Sequence, residues 1–395
     1  MAREQIGIMG GTFDPIHKGH IAMAKAAREA LKLDRVLMIP TGNPPHKHGI
    51  TPAEDRWRML VAAVVKEPGL EPCRIELDRE GVIYTVDTLT QLKGLYPKAD
   101  FTYIIGADTL LELKNWHDYT RVLQLCSFAV CHRLWNTTPK ALVDEQKRLE
   151  ALGGRFRQVH MEPVDISSTE LRRQLAAGEA TPLLPETVRE YAGLRGFYGM
   201  TQRLPEGEAW LTKLFADLSA SRFSHTLAVA YTARHLARAH QLDMVTAETA
   251  AILHDCAKCL PVKEMQRICR ERSLTEDPGI LDSGALMHSI VGASLAASEY
   301  GVTDPIVLDA IACHTTGREG MTPMDMVVYL ADKIEPTRDS YPLLEKVRLS
   351  AYYSLEKAML MSMEGTEAYV KKGGKQPHPQ TMATITWLKQ KMKER

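Results

Sequence analysis

The chain has 395 residues, of which 45% are hydrophobic and 25% are charged. This length and composition are typical of a globular protein with two or three hydrophobic cores. Lys plus Arg equals Asp plus Glu, at 49 each, and neither half has the basic excess of a polynucleotide binder. We find no export signal and no apolar run long enough to span a bilayer. We therefore expect a cytoplasmic protein that binds neither polynucleotide nor membrane, and the sequence leaves its oligomeric state open.

The seven cysteines are scattered and odd in number, which indicates reduced thiols and not a disulfide framework. Cys256 and Cys259 form a CxxC pair, but they follow a His-Asp motif and lack a second cysteine pair to complete a zinc site. We expect these two residues to be small buried thiols.

Short apolar segments alternate with amphipathic helical segments over the first 200 residues. This alternation predicts an α/β fold, with a parallel sheet that is covered on both faces and binds its ligands at the carboxyl ends of the strands. The predicted strands are 6–9, 36–39, 74–77, 101–105 and 127–131, and the predicted helices are 20–31, 54–65 and 86–95.

The first predicted strand ends in an unusual loop that contains two glycines, an Asp-Pro turn and two histidines. Glycines allow a ligand to approach the backbone closely, and the free N–H groups of a helix N-terminus attract phosphate. The loop matches neither the dinucleotide fingerprint nor the P-loop. We interpret it as a cradle for a nucleoside triphosphate; it runs Gly10-Gly11-Thr12-Phe13-Asp14-Pro15-Ile16-His17-Lys18-Gly19-His20.

Three further segments carry polar residues. The loop 40–47 ends in His46 and Lys47, and Gly106-Ala107-Asp108 follows the strand predicted at 101–105. Residues 165–172 place three hydroxyls at a helix start with Arg172 one turn later, an arrangement that helix capping alone would explain.

His17, Gly19 and His20 match the HxGH signature of the nucleotidyltransferase superfamily. The order of GGTFDPIHxGH, IPTGNPPHK, YTVDTL, GAD and ISSTELR resembles nicotinate-nucleotide adenylyltransferase of the bacterial NAD pathway over roughly residues 1 to 200. The resemblance implies a Rossmann-like nucleotidyltransferase domain. It also implies AMP transfer from ATP to nicotinate mononucleotide, which forms deamido-NAD and pyrophosphate with Mg²⁺ as the ion.

Nucleotidyl transfer is an in-line displacement at the α-phosphorus that requires positioning and charge stabilisation but no covalent nucleophile. In this scheme His17 and His20 donate to phosphate oxygens, and Lys47 and Arg172 neutralise the β- and γ-phosphates. The remaining predicted ATP-binding residues belong to the first loop and to the later helix start: Gly10, Gly11, Thr12, Phe13, Ser167, Ser168 and Thr169.

The resemblance also implies an acceptor site. Tyr84, Thr85 and Trp116 match the family's positions for the pyridine ring and its carboxylate, and Asp108 matches the position that contacts adenosine. Arg133 departs from the sequence expected there, so its role is open.

Near residue 200 the α/β pattern stops, and helical periodicity follows to the end of the chain. We predict a first domain over 1–200, a polar connector over 201–207 and an all-α domain over 208–395. In the all-α domain, ligand-type side chains recur in or at the ends of apolar helical segments. Imidazole and carboxylate groups that face one point of a helical bundle suit iron, manganese or zinc better than calcium; the residues are His225, His254, Asp255, His288, His314 and Asp332.

The order H, HD, H, H, D resembles that of the HD-domain phosphohydrolases. ILHDCAK, MHSIVGA, IACHTTG and LADKIEPTR resemble the small bacterial HD hydrolase that cleaves diadenosine tetraphosphate symmetrically to two ADP. The resemblance implies an HD helical bundle with two transition-metal ions, iron first and Mn²⁺ as the second choice.

In the implied ligand set one ion is held by His225, His254, Asp255 and Asp332. Asp255 bridges to a second ion on His288 and His314, and a water between the ions attacks phosphorus in line. Lys258 and Arg338 either stabilise phosphate charge or lie on a solvated surface.

The leading interpretation is a bifunctional enzyme that acts on ATP, nicotinate mononucleotide and diadenosine tetraphosphate. Two alternatives stay open. In the first, the HD domain is a nucleotide-sensing regulatory module or a phosphohydrolase for another nucleotide. In the second, the first domain adenylylates another acceptor, such as phosphopantetheine or nicotinamide mononucleotide.

Overall fold

The computed structural model describes residues 3–42, 49–132, 140–162, 164 and 166–394. Lys47 and Arg133 lie outside the described residues. The chain divides into two compact units. The first runs to Ala192 and includes Gly196–Thr201, and the second comprises Gly193–Arg195 and the chain from Gln202 onward.

The first unit contains a six-stranded parallel sheet with the order β3-β2-β1-β4-β5-β6. This is the order of a doubly wound α/β fold, in which the chain reverses its direction of winding between β1 and β4 and ligands bind at the carboxyl ends of these strands. Ile8 of β1 lies opposite Leu37 of β2 on one side and Tyr103 of β4 on the other. The strands are β1 Glu4–Gly11, β2 Arg35–Pro40, β3 Leu70–Pro72, β4 Ala99–Gly106, β5 Ser127–His132 and β6 Phe156–His160.

Helices connect the strands and cover the sheet, whose central strands are buried on both faces, as parallel strands must be. The helices are α1 Lys18–Leu31, α2 Ala53–Val64, α3 Thr85–Leu95, α4 Ala107–Glu112, α5 Tyr119–Leu125, α6 Lys140–Glu150, α7 Ser168–Ala176 and α8 Glu186–Arg195. A 3₁₀ turn, Leu113–Asn115, follows α4.

The strand predicted at 74–77 is wrong, because β3 ends at Pro72 and a turn follows. The N–H groups of Leu77 and Asp78 both donate to the carbonyl of Arg74. Ile75 and its neighbour Glu76 are both buried, whereas in a half-buried strand successive side chains face opposite sides. The alternation of polar and apolar residues at 74–77 therefore comes from a turn and not from a strand. β6 was not predicted.

Among its described residues the second unit contains helices joined by loops, and no strand. Its longest helix, α10, is buried along most of its length and packs against α11 and α16. The helices are α9 Gly207–Asp217, α10 Ala220–Ala239, α11 Met244–Leu253, α12 Val262–Glu271, α13 Pro278–Leu281, α14 Gly284–Glu299, α15 Pro305–Cys313, α16 Pro323–Ile334, α17 Leu344–Ala351, α18 Leu355–Lys372 and α19 Pro379–Lys393. No helix of the described chain is both long enough and apolar enough to cross a membrane.

All seven cysteines are free thiols. Cys256 is buried, and its thiol donates to the carbonyl of Gly292 at 3.5 Å. Burial raises the pKa of Cys256, so the thiol stays protonated. Cys259 is exposed, which corrects the prediction that both cysteines of the pair are buried.

Candidate functional sites

A cavity of about 750 Å³ opens at the carboxyl ends of β1, β4 and β5, where the winding of the sheet reverses. The strand ends deliver Gly10, Gly106 and His132 to its wall. Eight of the predicted substrate-binding residues line it, although they come from distant parts of the chain: Gly10, Gly11, His17, His20, Asp108, Trp116, Ser167 and Ser168.

Two glycines of the cavity wall pack closely against neighbouring side chains. A Cβ on Gly10 would collide with the hydroxyl of Tyr103. A Cβ on Gly19 would lie 3.0 Å from Nδ1 of His17, so Gly19 lets that imidazole lie against the first turn of α1. Glycine at these positions therefore allows close packing against Tyr103 and His17 as well as access to a ligand.

The geometry of the loop assigns a tautomer to His20. The backbone N–H of His17 donates to Nδ1 of His20 at 3.3 Å, so the proton of a neutral His20 ring resides on Nε2. The two imidazoles stack with their centroids 3.6 Å apart. Burial, and secondarily the neighbouring His17, holds the pKa of His20 well below 6.5. At neutral pH His20 therefore offers an uncharged N–H donor.

Arg172 and the α7 hydroxyls hold the first loop in place. Arg172 donates from Nη1 to the carbonyl of Asp14 at 2.7 Å and from Nη2 to Oγ1 of Thr169 at 3.2 Å. Ser168 donates to the carbonyl of Pro15 at 3.1 Å. Ser167 caps α7 by accepting from the N–H of Glu170, which leaves its own hydroxyl proton to donate. Among the residues predicted for the first domain that the structure describes, those outside the cavity wall are Thr12, Phe13, Tyr84, Thr85, Thr169 and Arg172.

Two of the residues predicted to bind the acceptor, Tyr84 and Trp116, make aromatic contacts. Trp116 meets the buried Tyr103 edge to face, with ring centroids 5.5 Å apart. Tyr84 is partly exposed and stacks on His117 with centroids 4.1 Å apart. Tyr103 and His117 were not predicted.

Arg56 of α2 was also missed, because a single arginine in an amphipathic helix carries no recognisable motif. Its side chain is fully buried and donates to four backbone carbonyls. Nε reaches Thr51 at 2.9 Å, Nη1 reaches Thr12 and Thr41 at 2.8 Å each, and Nη2 reaches Gly42 at 2.7 Å. One guanidinium therefore joins the first loop to the end of β2 and to the start of α2.

The second candidate site lies inside the helical unit and collects the six predicted ligand residues, all buried. α10 supplies His225, the end of α11 supplies His254 and Asp255, and α16 supplies Asp332. α14 carries His288, and His314 follows α15. Two groups of three have ligand atoms within 4.8 Å of one another: His225, His254 and Asp332, and His254, Asp255 and His314.

The Asp255 carboxylate lies between His254 on one side and the pair His288 and His314 on the other. Its Oδ1 is 3.0 Å from Nε2 of His288 and 3.8 Å from Nε2 of His314. Its Oδ2 is 3.5 Å from Nε2 of His254. The second carboxylate of the cluster, Asp332, has its Oδ1 3.1 Å from Nε2 of His225.

The hydrogen bonds at Nδ1 explain why all four imidazoles present Nε2 to the centre. The Nδ1 atoms of His254 and His314 lie 2.6 and 2.7 Å from carbonyls three residues earlier, and that of His288 lies 3.3 Å from the Gly284 carbonyl. His225 instead has its Nδ1 3.1 Å from the carboxylate of Glu335. Each acceptor can hold a proton on Nδ1, which would leave Nε2 to coordinate an ion.

The electrostatics suit a cation. Burial lowers the pKa of His288 to about 4 and also lowers that of His314, so both rings are neutral at pH 7, as metal ligands are. Burial alone would raise the pKa of Asp255, but the neighbouring His254 holds it well below 3.8. In the described part of the chain Nε2 of His254 is buried with no hydrogen-bond partner. This nitrogen and oxygen donor set fits a transition-metal ion.

Cationic side chains border the cluster. Arg222, one turn before His225, donates to Oδ2 of Asp255 at 2.7 Å. Lys333 lies 2.8 Å from Oδ2 of Asp332, and Arg338 lies 3.9 Å from its Oδ1. Burial lowers the pKa of Lys258, and the nearby charge of Asp255 opposes this shift. Of these cations, Lys258 and Arg338 were predicted.

Comparison with known proteins assigns a class to each unit. Residues 8–174 match the family model described as cytidylyltransferase-like, and residues 222–337 match the HD domain model. The protein thus joins a nucleotidyltransferase domain with a Rossmann-like sheet to a helical HD domain, which confirms the predicted fold class.

Curated relatives narrow the class. A Mycoplasma genitalium protein named probable nicotinate-nucleotide adenylyltransferase/Ap4A hydrolase is 30% identical over 85% of this chain and 89% of its own length. A probable nicotinate-nucleotide adenylyltransferase of a Thermoanaerobacter species is 39% identical over 48% of this chain and 93% of its own. A solved Clostridium acetobutylicum protein, described as a predicted HD superfamily hydrolase involved in NAD metabolism, is 33% identical over 47% of this chain and 97% of its own, with a TM-score of 0.46. The chain belongs to the nicotinate-nucleotide adenylyltransferase family, in the form that also carries an HD domain.

Proposed function

We propose that this protein is a bifunctional enzyme. Its first domain, residues 1–200, transfers AMP from ATP to nicotinate mononucleotide. Its second domain, residues 208–395 after a connector at 201–207, hydrolyses diadenosine tetraphosphate symmetrically to two ADP. The observation that carries the first assignment is the HxGH loop at the winding reversal of the sheet, with His20 held as an Nε2–H donor beside the cavity. The six-ligand cluster and the names of the fused relatives support the second.

In the transfer reaction an oxygen of the nicotinate mononucleotide phosphate bonds to the α-phosphorus of ATP, and the bond to the bridging oxygen of pyrophosphate breaks. His17, His20 and Ser167 donate to the phosphate oxygens and spread the developing charge. Trp116 stacks on the pyridine ring, while Asp108 binds the adenosine. Bound Mg²⁺ supplies further charge neutralisation at the β- and γ-phosphates.

Arg172 supports this site through the loop carbonyl that it binds, and in the proposed scheme its positive charge offsets the negative charge of the β- and γ-phosphates. In the proposed scheme Lys47 acts on the leaving pyrophosphate. The transfer needs no covalent enzyme intermediate, because both substrates lie in one cavity.

In the hydrolytic reaction a water oxygen bonds to one of the two central phosphorus atoms, and the bond to the oxygen shared by the two halves breaks. Each half then leaves as ADP. The six ligand residues would hold divalent metal ions, whose chemistry would be to acidify the attacking water. Arg222, Lys258, Lys333 and Arg338 bind the polyphosphate oxygens, because they are the cations next to the ligand carboxylates.

Product analysis tests both assignments. The purified protein, loaded with Fe²⁺ or Mn²⁺, is incubated with diadenosine tetraphosphate, and the products are separated by chromatography. We expect ADP alone. AMP plus ATP would contradict symmetrical cleavage, and no turnover would contradict the hydrolase assignment.

The same preparation, supplied with ATP and Mg²⁺, is offered nicotinate mononucleotide and nicotinamide mononucleotide in parallel. We expect the nicotinate form to give the higher kcat/KM. A preference for the nicotinamide form would contradict the acceptor assignment.

A further inference from the structure

Glu335 distinguishes His225 from the other three histidines of the six-ligand cluster. Three imidazoles bond through Nδ1 to a backbone carbonyl of their own helix or helix end. The Nδ1 of His225 alone lies against a carboxylate, Oε1 of Glu335 at 3.1 Å. The Glu335 side chain is fully buried, and an isolated buried carboxylate is costly unless other groups satisfy it.

The surroundings hold the Glu335 carboxylate in one orientation. Thr337 donates its backbone N–H to Oε2 and its hydroxyl to Oε1, the latter at 3.0 Å. Arg348 anchors the backbone, because its Nη2 donates to the carbonyl of Glu335 at 2.7 Å and its Nε to that of Ile334 at 2.9 Å. Thr337 therefore orients the carboxylate, and Arg348 fixes the backbone that carries it.

Glu335 cannot share a metal ion with His225. It contacts Nδ1, whereas Nε2 of the same ring faces Oδ1 of Asp332 at 3.1 Å. Asp332 and Glu335 are three residues apart at the end of α16, so one helix end supplies both a ligand carboxylate and a support for the opposite side of the imidazole.

We propose that Glu335 is a positioning residue of the metal centre: its carboxylate fixes His225 with the proton on Nδ1 and Nε2 towards the ion, and increases the electron donation of that nitrogen. The inference rests on the proposed metal-dependent function of the second domain. A carboxylate that accepts from the far N–H of a ligand imidazole raises ligand basicity, and its loss typically costs about 10- to 100-fold in metal affinity. The ion held by His225, His254 and Asp332 is thereby bound more tightly than a ring on a backbone carbonyl would allow.

The test uses the full chain, stripped of metal and titrated with Co²⁺, with the dissociation constants and the visible absorption spectrum as readouts. Glu335→Gln keeps the shape and an acceptor oxygen but removes the negative charge. We expect it to weaken Co²⁺ binding at one site by about 10- to 100-fold and to shift the absorption bands. Glu364→Gln is the matched control: Glu364 is exposed and pairs with Lys389, so the Co²⁺ affinity and spectrum of this variant should remain those of the unmodified protein.

Wild-type affinity and spectrum in Glu335→Gln, even with a lowered melting temperature, would overturn the inference. Failure of the unmodified chain to bind Co²⁺ would instead contradict the proposed metal centre, so the two failures are distinguishable. If Glu335→Gln does not fold, Thr337→Ala serves in its place, because it keeps the carboxylate and removes only one bond that orients it. We expect a smaller loss of affinity in the same direction, and an unchanged affinity would likewise overturn the inference.

Discussion

The guanidinium of Arg56 is buried among four carbonyl oxygens that come from three segments around the first site. A planar fork of N–H donors can reach acceptors in several directions, whereas a lysine ammonium is a single point with three donors. Replacement of Arg56 therefore leaves buried carbonyls unsatisfied, at about 1–3 kcal/mol each.

We predict that Arg56→Lys lowers the free energy of unfolding of the first unit by about 3 kcal/mol or more, the cost of two or more unsatisfied carbonyls. We also predict at least a tenfold lower kcat for adenylyl transfer, because Thr12 and Thr41 lose their common anchor. Urea unfolding and steady-state kinetics measure the two effects.

Arg35→Lys is the matched control for Arg56→Lys. Arg35 lies at the opposite end of β2 and pairs with the partly exposed Glu4 and Glu71, pairs that are worth about 1 kcal/mol or less. Adenylyl transfer should survive this change. Equal losses in both variants would show that Arg56 has no particular role in arranging the site.

His20 gives the first unit a pH-dependent stability. Its folded pKa is held well below the unfolded value of about 6.5. As the pH falls from 7 towards 5, the unfolded chain takes up a proton that the folded chain does not. We predict that the free energy of unfolding of the first unit decreases as the pH falls from 7 to 5. For one proton the decrease is at most about 1.4 kcal/mol per pH unit.

Urea unfolding of the unmodified protein and of His20→Gln at pH 7, 6 and 5 measures this slope. Glutamine retains an acceptor for the His17 N–H and a donor for the cavity, but it does not titrate. The difference in stability between the two proteins should therefore shift in favour of the glutamine variant as the pH falls. If the free energy of unfolding of the two proteins changed equally with pH, the lowered pKa of His20 would be contradicted.

At the residue scale, the sequence was informative where a reaction requires a rare combination of side chains. The two histidines around Gly19 and the six ligand residues of the helical unit could be predicted for that reason. Arg56 and Glu335 could not, because their partners are backbone carbonyls and a histidine 110 residues away, and neither relation leaves a local pattern.

At the scale of elements, helix predictions were more accurate than strand predictions. The segments expected around His225, His288 and Asp332 lie within α10, α14 and α16, because long apolar periodicity is specific to helices. The three-residue β3 is too short to show alternation, and the Arg74 turn showed alternation without a strand.

The ligands of the second site come from five helices or their ends, so metal binding should stabilise the arrangement of those helices. A ligand that binds only the folded state contributes about 2.7 kcal/mol when its concentration is 100 times its dissociation constant. We predict that Mn²⁺ raises the unfolding temperature of the second unit and that chelation reverses the effect, as followed by scanning calorimetry.

Two histidine variants examine whether this stabilisation comes from the cluster. His314→Ala should reduce the Mn²⁺-dependent shift, because His314 belongs to one of the two ligand groups. His240→Asn should retain it, because Nε2 of His240 lies 2.6 Å from the carbonyl of Ala351 and the residue is outside the ligand groups. Identical shifts in all three proteins would mean that Mn²⁺ binds elsewhere.

At the scale of the whole molecule, each unit contains all the described residues of its own site. The cavity residues of the first site precede Ala192, and the six ligands of the second follow Gln202. Each reaction should therefore depend on one unit alone.

We predict that His20→Ala lowers adenylyl transfer by about 100-fold or more, as loss of one donor to a developing phosphate charge commonly does, and leaves hydrolysis of diadenosine tetraphosphate within twofold of normal. His254→Ala should have the reverse effect, because His254 belongs to both ligand groups. An equimolar mixture of the two variants should show both activities. If His254→Ala instead keeps hydrolysis and alters adenylyl transfer tenfold, the helical unit is a regulatory sensor of the first domain. If it lowers both activities together in a folded protein, the two sites are coupled and the independence of the units is contradicted.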